Sequence, residues 1–336
     1  MKKFLCTLVS IIILCSLCAC QQNQEPQVTT EPPVTESPED ANTLKILMIG
    51  DSSGNDAMWL TYDVFKAEQP DRDVVIGNLY YSSCTMAYHA KHASENLPNY
   101  TYYRNDSGKW DVKENYAISY ALQEEHWDVV LIQETNHNAG VEIYYKTDDI
   151  VILTSHIVKE LGYQPHILWN TMWVNPMGFD EWIFTDPSNP APANIPRWRS
   201  IHMENYDCSV EKMYEAIVNC ANKYVLGQNK GVTGYLSSCT AIQHALTQQN
   251  IHEKELFRDY THLSDYARVM VAYNLYAQVC QLIDGTAPEL TEIKLTTVPS
   301  FMRQKRFTAL GDLILTEEQQ KSIVEAVNYS VKNPLN

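Results

Sequence analysis

Five short apolar runs punctuate the chain, each followed by a polar turn and then a stretch of helical periodicity. They are Lys45–Ile49, Val74–Tyr80, Val129–Gln133, His166–Met172 and Gly231–Leu236. Runs of this length, apolar on both faces, suit strands of a parallel sheet covered on two sides. Helical patterns fall between them, at about 56–68, 111–125, 148–161, 208–225 and 240–249. A longer helix opens at Ser264, a good N-cap, carries Val269, Tyr273, Tyr276, Cys280 and Ile283 at helical spacing, and stops at Gly285. Another, at about 316–331, opens with Thr316 and Gln319 as a capping-box pair. The alternation predicts an α/β protein: a doubly wound, three-layer α/β/α sandwich around a central five-stranded parallel sheet.

The N-terminal segment does not join this pattern. Lys2 and Lys3 precede an apolar run, Phe4–Leu17, which is closed by Leu17-Cys18-Ala19-Cys20. The run is shorter than the roughly 20 residues that span a bilayer and has the layout of an export signal. Its last four residues resemble a bacterial lipobox, so residues 1–19 are expected to be a signal peptide and Cys20 the lipidated residue. The expected location is the cell surface, with the protein anchored to the membrane by lipid. Residues 20–43, rich in Pro, Thr, Glu and Gln, bury too little to order themselves and read as a disordered spacer. Residues 44–336 then form one domain, interrupted at about 173–206 by a proline-rich stretch. With Trp169 just before it, that stretch holds four of the chain's seven tryptophans. A loop this long is usually functional or disordered, and its aromatic content speaks for order, either as a sugar-stacking platform or as a flap packed on the sandwich.

The first apolar run ends in Gly50-Asp51-Ser52-Ser53-Gly54. In an open parallel sheet, ligands bind beyond the carboxyl ends of the strands, and Ser52 lies just past one. A serine hydroxyl is a weak nucleophile without a base, and the base works best when a carboxylate orients it. Of ten histidines, only His262, in Asp259-Tyr260-Thr261-His262, has an acid three residues before it and a helix just after. Asp259 can bond the ring across a single turn and leave the other nitrogen free to face Ser52. The alternative is that Asp51 and Ser52 merely cap a helix and His262 lies on the surface.

A G-D-S turn after the first strand and a D-x-x-H before the last long helix resemble the SGNH (GDSL-type) hydrolase family. The segments "NLYYSSCTMAYH", "WDVVLIQETNHNAG" and "DYTHLS" are similar to a poorly characterised bacterial branch of it. The resemblance covers about residues 45–285. It implies a flavodoxin-like fold and ester hydrolysis through a serine acyl-enzyme, with Ser52 as nucleophile, His262 as base and Asp259 as orienting acid. Two blocks that supply oxyanion donors in that family depart from its pattern here. The usual glycine after the second strand corresponds to Ser82 or Ser83, with Ser83 taken as the backbone donor. The usual G-x-N-D reads Gln133-Glu134-Thr135-Asn136-His137, which makes Asn136 the side-chain donor with Gln133 as its substitute. Each such donor contributes roughly 3 kcal/mol in well-studied enzymes.

The expected activity is therefore that of a carboxylic ester hydrolase at the cell surface, removing acetyl groups from a carbohydrate or acting on another small ester. No cofactor or metal is expected. His89, His92 and Glu95 share a spacing of three, but nothing nearby completes a metal site. A formal net charge of −16 argues against a nucleic acid partner. Five cysteines fall in the domain without C-x-x-C spacing, and their pairing is not legible. A lipid esterase or lysophospholipase would share the triad but needs an aliphatic groove. A glycan-binding lipoprotein that has lost catalysis would share the scaffold. The oligomeric state is not legible either.

Overall fold

The computed structural model describes residues 42–176, 204–298 and 312–335. The expected leader with Cys20, the spacer through residue 41, and residues 177–203 of the aromatic stretch lie outside these. Strand β1 (Leu44–Gly50) is buried at every position. It pairs in parallel with β2 (Val74–Tyr80) on one side and β5 (Val129–Ile132) on the other. Strands β6 (His166–Asn170) and β7 (Gly234–Leu236) extend the parallel ladder beyond β5. These five are the apolar runs of the sequence, and burial on both faces is what makes β1, β2, β5 and most of β6 legible.

The sheet has seven strands, not five, in the order β4-β3-β2-β1-β5-β6-β7. Strands β3 (Tyr100–Asn105) and β4 (Trp110–Tyr116) form an antiparallel hairpin on the outer edge of β2. The first part of the helix expected over 111–125 is therefore strand, and only α4 (Ile118–Glu124) is helical. Five of the seven β4 residues are exposed, so this edge strand shows no apolar face for a sequence pattern to reveal. The turn between them is marked by Gly108, at φ +83°, whose N–H donates to Asn105 Oδ1 at 2.9 Å.

Helices cover both faces. Helix α3 (Met86–Glu95) and α5 (Asp149–Leu161) pack with α4 on one side. Helices α1 (Ser52–Met58), α2 (Thr61–Glu68), α7 (Ser238–Thr247) and α10 (Glu317–Lys332) surround α9 (Asp265–Asp284) on the other. Helix α9 is buried from Tyr266 through Cys280, which is why its apolar residues run round the whole helix instead of one stripe. Ser264 caps it and Gly285 ends it in a left-handed turn, and α10 carries the expected capping box. Between β6 and α7 lies α6 (Val210–Cys220), which continues into a wider π turn over Ala221–Leu226. Short α8 (Glu253–Leu256) precedes the loop that leads into α9.

From β1 the chain crosses to β2 on one side, then returns through β5 on the other. This reversal of strand order leaves a crevice at the carboxyl end of β1, where doubly wound folds place their ligands. Ser52 opens the helix that starts there.

Candidate active site

The turn after β1 is built tightly. Asp51 is the N-cap of α1, and its carboxylate accepts from Ser53 N at 2.9 Å. Helix α1 thus begins at Ser52, four residues earlier than the sequence pattern suggested. A Cβ on Gly54 would come within 3.2 Å of Met48 Cγ, and one on Gly50 within 3.3 Å of Gln133 Cδ. Glycine at both positions lets the helix start close against the strand ends.

Ser52 and His262 are 210 residues apart in sequence, yet His262 Nε2 lies 2.8 Å from Ser52 Oγ. On its other side, His262 Nδ1 lies 2.8 Å from Asp259 Oδ2 and 3.0 Å from Oδ1. Asp259 Oδ1 also accepts from the backbone N–H of Thr261 and of His262, at 3.0 and 2.8 Å, which fixes its carboxylate across the turn. Burial on its own would raise the Asp259 carboxyl, but the hydrogen bond and charge of the His262 ring outweigh it and hold the group at about 2. With the ring neutral, the Asp259 carboxylate accepts a hydrogen bond from Nδ1–H, and Nε2 then faces the serine hydroxyl with its lone pair. All three side chains are partly open to solvent.

The expected oxyanion donors divide. Ser83 is exposed in the turn after β2, with φ +52°. That left-handed conformation is the one glycine adopts freely and other residues at a cost of roughly 1–2 kcal/mol. The turn sits on the nucleophile loop, because Tyr81 N donates to Gly50 O at 3.2 Å and Cys84 N to Tyr81 O at 3.2 Å. Asn136 is buried on a short 3-10 turn past β5. Its Nδ2 donates to Trp173 O at 3.1 Å, and its Oδ1 has no partner among the described residues. Gln133 faces the interior instead of the crevice. Its Nε2 donates to Asp51 Oδ1 at 2.9 Å and its Oε1 accepts from Asn170 Nδ2 at 2.9 Å. Its amide is engaged at both ends beneath the serine turn, so it belongs to the support of the site and not to its open face. His137 lies half-buried on the same 3-10 turn as Asn136.

Several residues around the site carried no signal in the sequence. Beyond Gln133, Ser238 Oγ donates to Asn170 Oδ1 at 2.8 Å, and Thr135 Oγ1 donates to Asp51 Oδ2 at 2.8 Å. These neutral groups lace together the ends of β1, β5 and β6 and the start of α7. Burial raises the Asp51 carboxyl, and the hydrogen bonds from Thr135 and Ser53 only partly offset this. Glu134 accepts from Met86 N at 3.2 Å, Thr135 N at 2.8 Å and Asn138 Nδ2 at 3.2 Å. It ties the start of α3, just past the Ser83 turn, to the end of β5, and burial pushes it up to about 7. Asp56, Arg258 and Arg268 form a second, charged cluster behind His262.

The histidine pair of "YHAKH" is internal. His89 Nδ1 lies 2.8 Å from the Tyr100 hydroxyl and His92 Nδ1 3.4 Å from it. Among the described residues, no group of three or more His, Cys, Asp or Glu is arranged to hold a metal ion. Cys84, Cys208, Cys220, Cys239 and Cys280 are free thiols. No helix among the described residues is long and apolar enough to cross a membrane.

Comparison with known proteins places residues 45–179 in register with the family described as "Domain of unknown function (DUF4886)". The crystal structure of a DUF4886 family protein from Bacteroides uniformis ATCC 8492 overlays with a TM-score of 0.66 at 21% identity, covering 88% of this chain and 96% of that one. This shows a shared fold. A carbohydrate esterase family 3 structure from Talaromyces cellulolyticus overlays with a TM-score of 0.41 at 10% identity, covering 73% of this chain and 100% of that one. A two-domain esterase active on acetylated mannans gives 0.38 at 14% identity, over 70% of this chain and 47% of its own. The last two overlaps are too loose to bear on reaction or substrate. No curated protein matches the sequence.

Proposed function

We propose that this chain is a serine hydrolase of carboxylic esters that removes acetyl groups from a carbohydrate. The observation that carries the reading is the unbroken relay from Ser52 Oγ through the His262 ring to the Asp259 carboxylate, with both links at 2.8 Å. Such a relay is the arrangement that activates a hydroxyl for acyl transfer. In the first half-reaction Ser52 Oγ bonds to the ester carbonyl carbon as its proton passes to His262 Nε2. The resulting imidazolium is stabilised by Asp259, which stays ionised. The carbonyl oxygen becomes an oxyanion, held by the Ser52 and Ser83 N–H groups and by the Asn136 amide, which carries a second N–H besides the one given to Trp173. When the oxyanion collapses, the bond to the alcohol oxygen breaks and that oxygen takes the proton from His262. Water then gives its proton to His262 and attacks the acyl-serine, and the acid leaves as Ser52 recovers its proton. Asp51 and Gln133 hold the turn from below and take no proton.

An acetylated sugar as substrate is supported by an N-terminus built like an export signal with Cys20 placed for lipidation; Trp169 and Trp173, at the start of the aromatic stretch, are buried in the core and offer no stacking face. Cys20 would anchor the domain to the membrane through the spacer that follows it. The reading is tested by hydrolysis of nitrophenyl esters of increasing chain length, together with acetate release from acetylated glycans. Acetate esters should be cleaved fastest and Ser52→Ala should cleave none. A preference for octanoate would turn the assignment toward a lipid esterase. Glycan binding without turnover, unchanged in Ser52→Ala, would make the chain a binding protein on a hydrolase scaffold.

A further inference from the structure

We infer that Asp56 is a positioning residue that clamps the helix bearing Ser52 to the loop bearing His262. The inference rests on the hydrolase reading above. Asp56 lies one helical turn after Ser52 on α1 and is fully buried. Its carboxylate reaches across to residues more than 200 positions away. Oδ2 accepts from Leu263 N, the residue after His262, at 2.9 Å. Arg258 Nη1 donates to both oxygens, at 3.0 and 2.9 Å. Arg268 donates to Oδ1 from Nε at 3.0 Å and from Nη2 at 2.7 Å.

Each of those donors belongs to the frame of His262. Arg258 N donates to His262 O at 3.0 Å, and the Arg258 side chain also donates to Leu263 O. Phe257 and Leu263 close the loop as an antiparallel bridge, with Ser264 N donating to Leu256 O at 2.8 Å. Arg268, on the first turns of α9, is held in place by Asp265 at 2.9 Å. The loop has no strand neighbour in the main sheet; Trp173 Nε1 donates to Thr261 O at 2.8 Å from the segment past β6, and the tie to the helix bearing Ser52 runs through the Asp56 carboxylate. Burial disfavours its charge, but the guanidinium groups of Arg258 and Arg268 reverse that and keep it ionised below the usual carboxylate range. A neutral amide there would offer one acceptor where several donors converge, and would place an N–H opposite Leu263 N or a guanidinium. The loop would then shift relative to α1. Displacement of a catalytic group by about 1 Å costs on the order of 100-fold in rate.

Kinetics of nitrophenyl acetate hydrolysis, with thermal unfolding by circular dichroism, compare the parent with Asp56→Asn and Arg258→Gln. Asp56→Asn should remain folded at assay temperature and lose about 100-fold in kcat with KM changed less than about twofold. Arg258→Gln keeps the Leu263 and Arg268 bonds to Asp56, and should lose only about tenfold in kcat, again at constant KM. If Asp56→Asn does not fold, Arg258→Gln decides by the same split. A folded Asp56→Asn or Arg258→Gln with parental kcat and a lowered melting temperature would overturn the inference and leave Asp56 a stability residue. A parent without turnover that also fails to react with a fluorophosphonate would remove the hydrolase reading itself, and the inference with it.

Discussion

The two halves of the site are held by different chemistry. Ser52 rests on a floor of neutral groups, in which Gln133, Thr135, Asn170 and Ser238 hand hydrogen bonds along to a single carboxylate, Asp51. His262 is held by a charged clamp, Asp56 with Arg258 and Arg268. The difference follows from what each half is attached to. Parallel strand ends lie about 4.8 Å apart, so short amides and hydroxyls can bridge them and stay within hydrogen-bond reach. The histidine loop has no strand neighbour of this kind, and its tie to α1 runs through the Asp56 carboxylate, which accepts from Leu263 N directly and from two arginine side chains. The floor leaves its carboxyl raised by burial, whereas the clamp lowers its own. A neutral network tolerates burial without counter-charge, while a buried carboxylate among guanidinium groups loses stability with each partner removed.

The sharpest break in this comparison comes where the halves meet. Ser52→Ala or His262→Ala should lower kcat by about 10⁴-fold or more, with the double variant little worse than either single one, as steady-state assays would show. Loss of the pair by simple addition would mean that the two do not act together. Next in size, Arg268→Met should destabilise the fold by about 3–5 kcal/mol in urea denaturation, because it strands part of a buried charge. Gln133→Leu removes one link of the floor and should cost only about 1–3 kcal/mol in the same measurement. Equal costs would erase the distinction between clamp and floor.

Acid titration should separate two carboxylates by sign. Asp56 sits below its ordinary 3.8, so its contribution is fully present above that value and is lost as the pH falls through its folded one. Glu134 moves the other way, from 4.5 to about 7, so the favourable contribution of its protonated form is complete below 4.5 and is lost as the pH rises through about 7. Stability of the parent measured from pH 4.5 to 7 should therefore fall more than that of Glu134→Gln. A parent and variant with parallel curves would contradict the assignment. The smallest expected effect is at the rim: Ser83→Gly relieves a left-handed serine and should change stability by no more than about 1 kcal/mol while leaving activity intact, since the backbone N–H remains.

What the sequence made legible follows the same division. The central strands could be read because burial on both faces leaves no polar alternation to confuse the pattern, and the edge hairpin could not, because Asp111, Lys113 and Glu114 on β4 face water. Ser52, His262 and Asp259 could be picked out because their chemistry leaves local marks, a glycine-flanked turn and an acid three residues before a histidine. Gln133 could be placed at a strand end, but not pointed: its amide turns inward because Asp51 and Asn170 wait there. Asp56 left no mark at all. A lone acid in a short helix looks like a solvated residue, and its partners lie 202 to 212 positions away, where only the fold can bring them.

Everything turns on whether the Ser52 hydroxyl is activated by the imidazole beside it. The direct measurement is reaction with a fluorophosphonate, followed by mass spectrometric mapping of the labelled peptide in the parent, Ser52→Ala and His262→Ala. A single adduct on Ser52 in the parent, absent from both variants, is the predicted result. An unlabelled parent, or an adduct that persists in His262→Ala at the parental rate, would contradict the account.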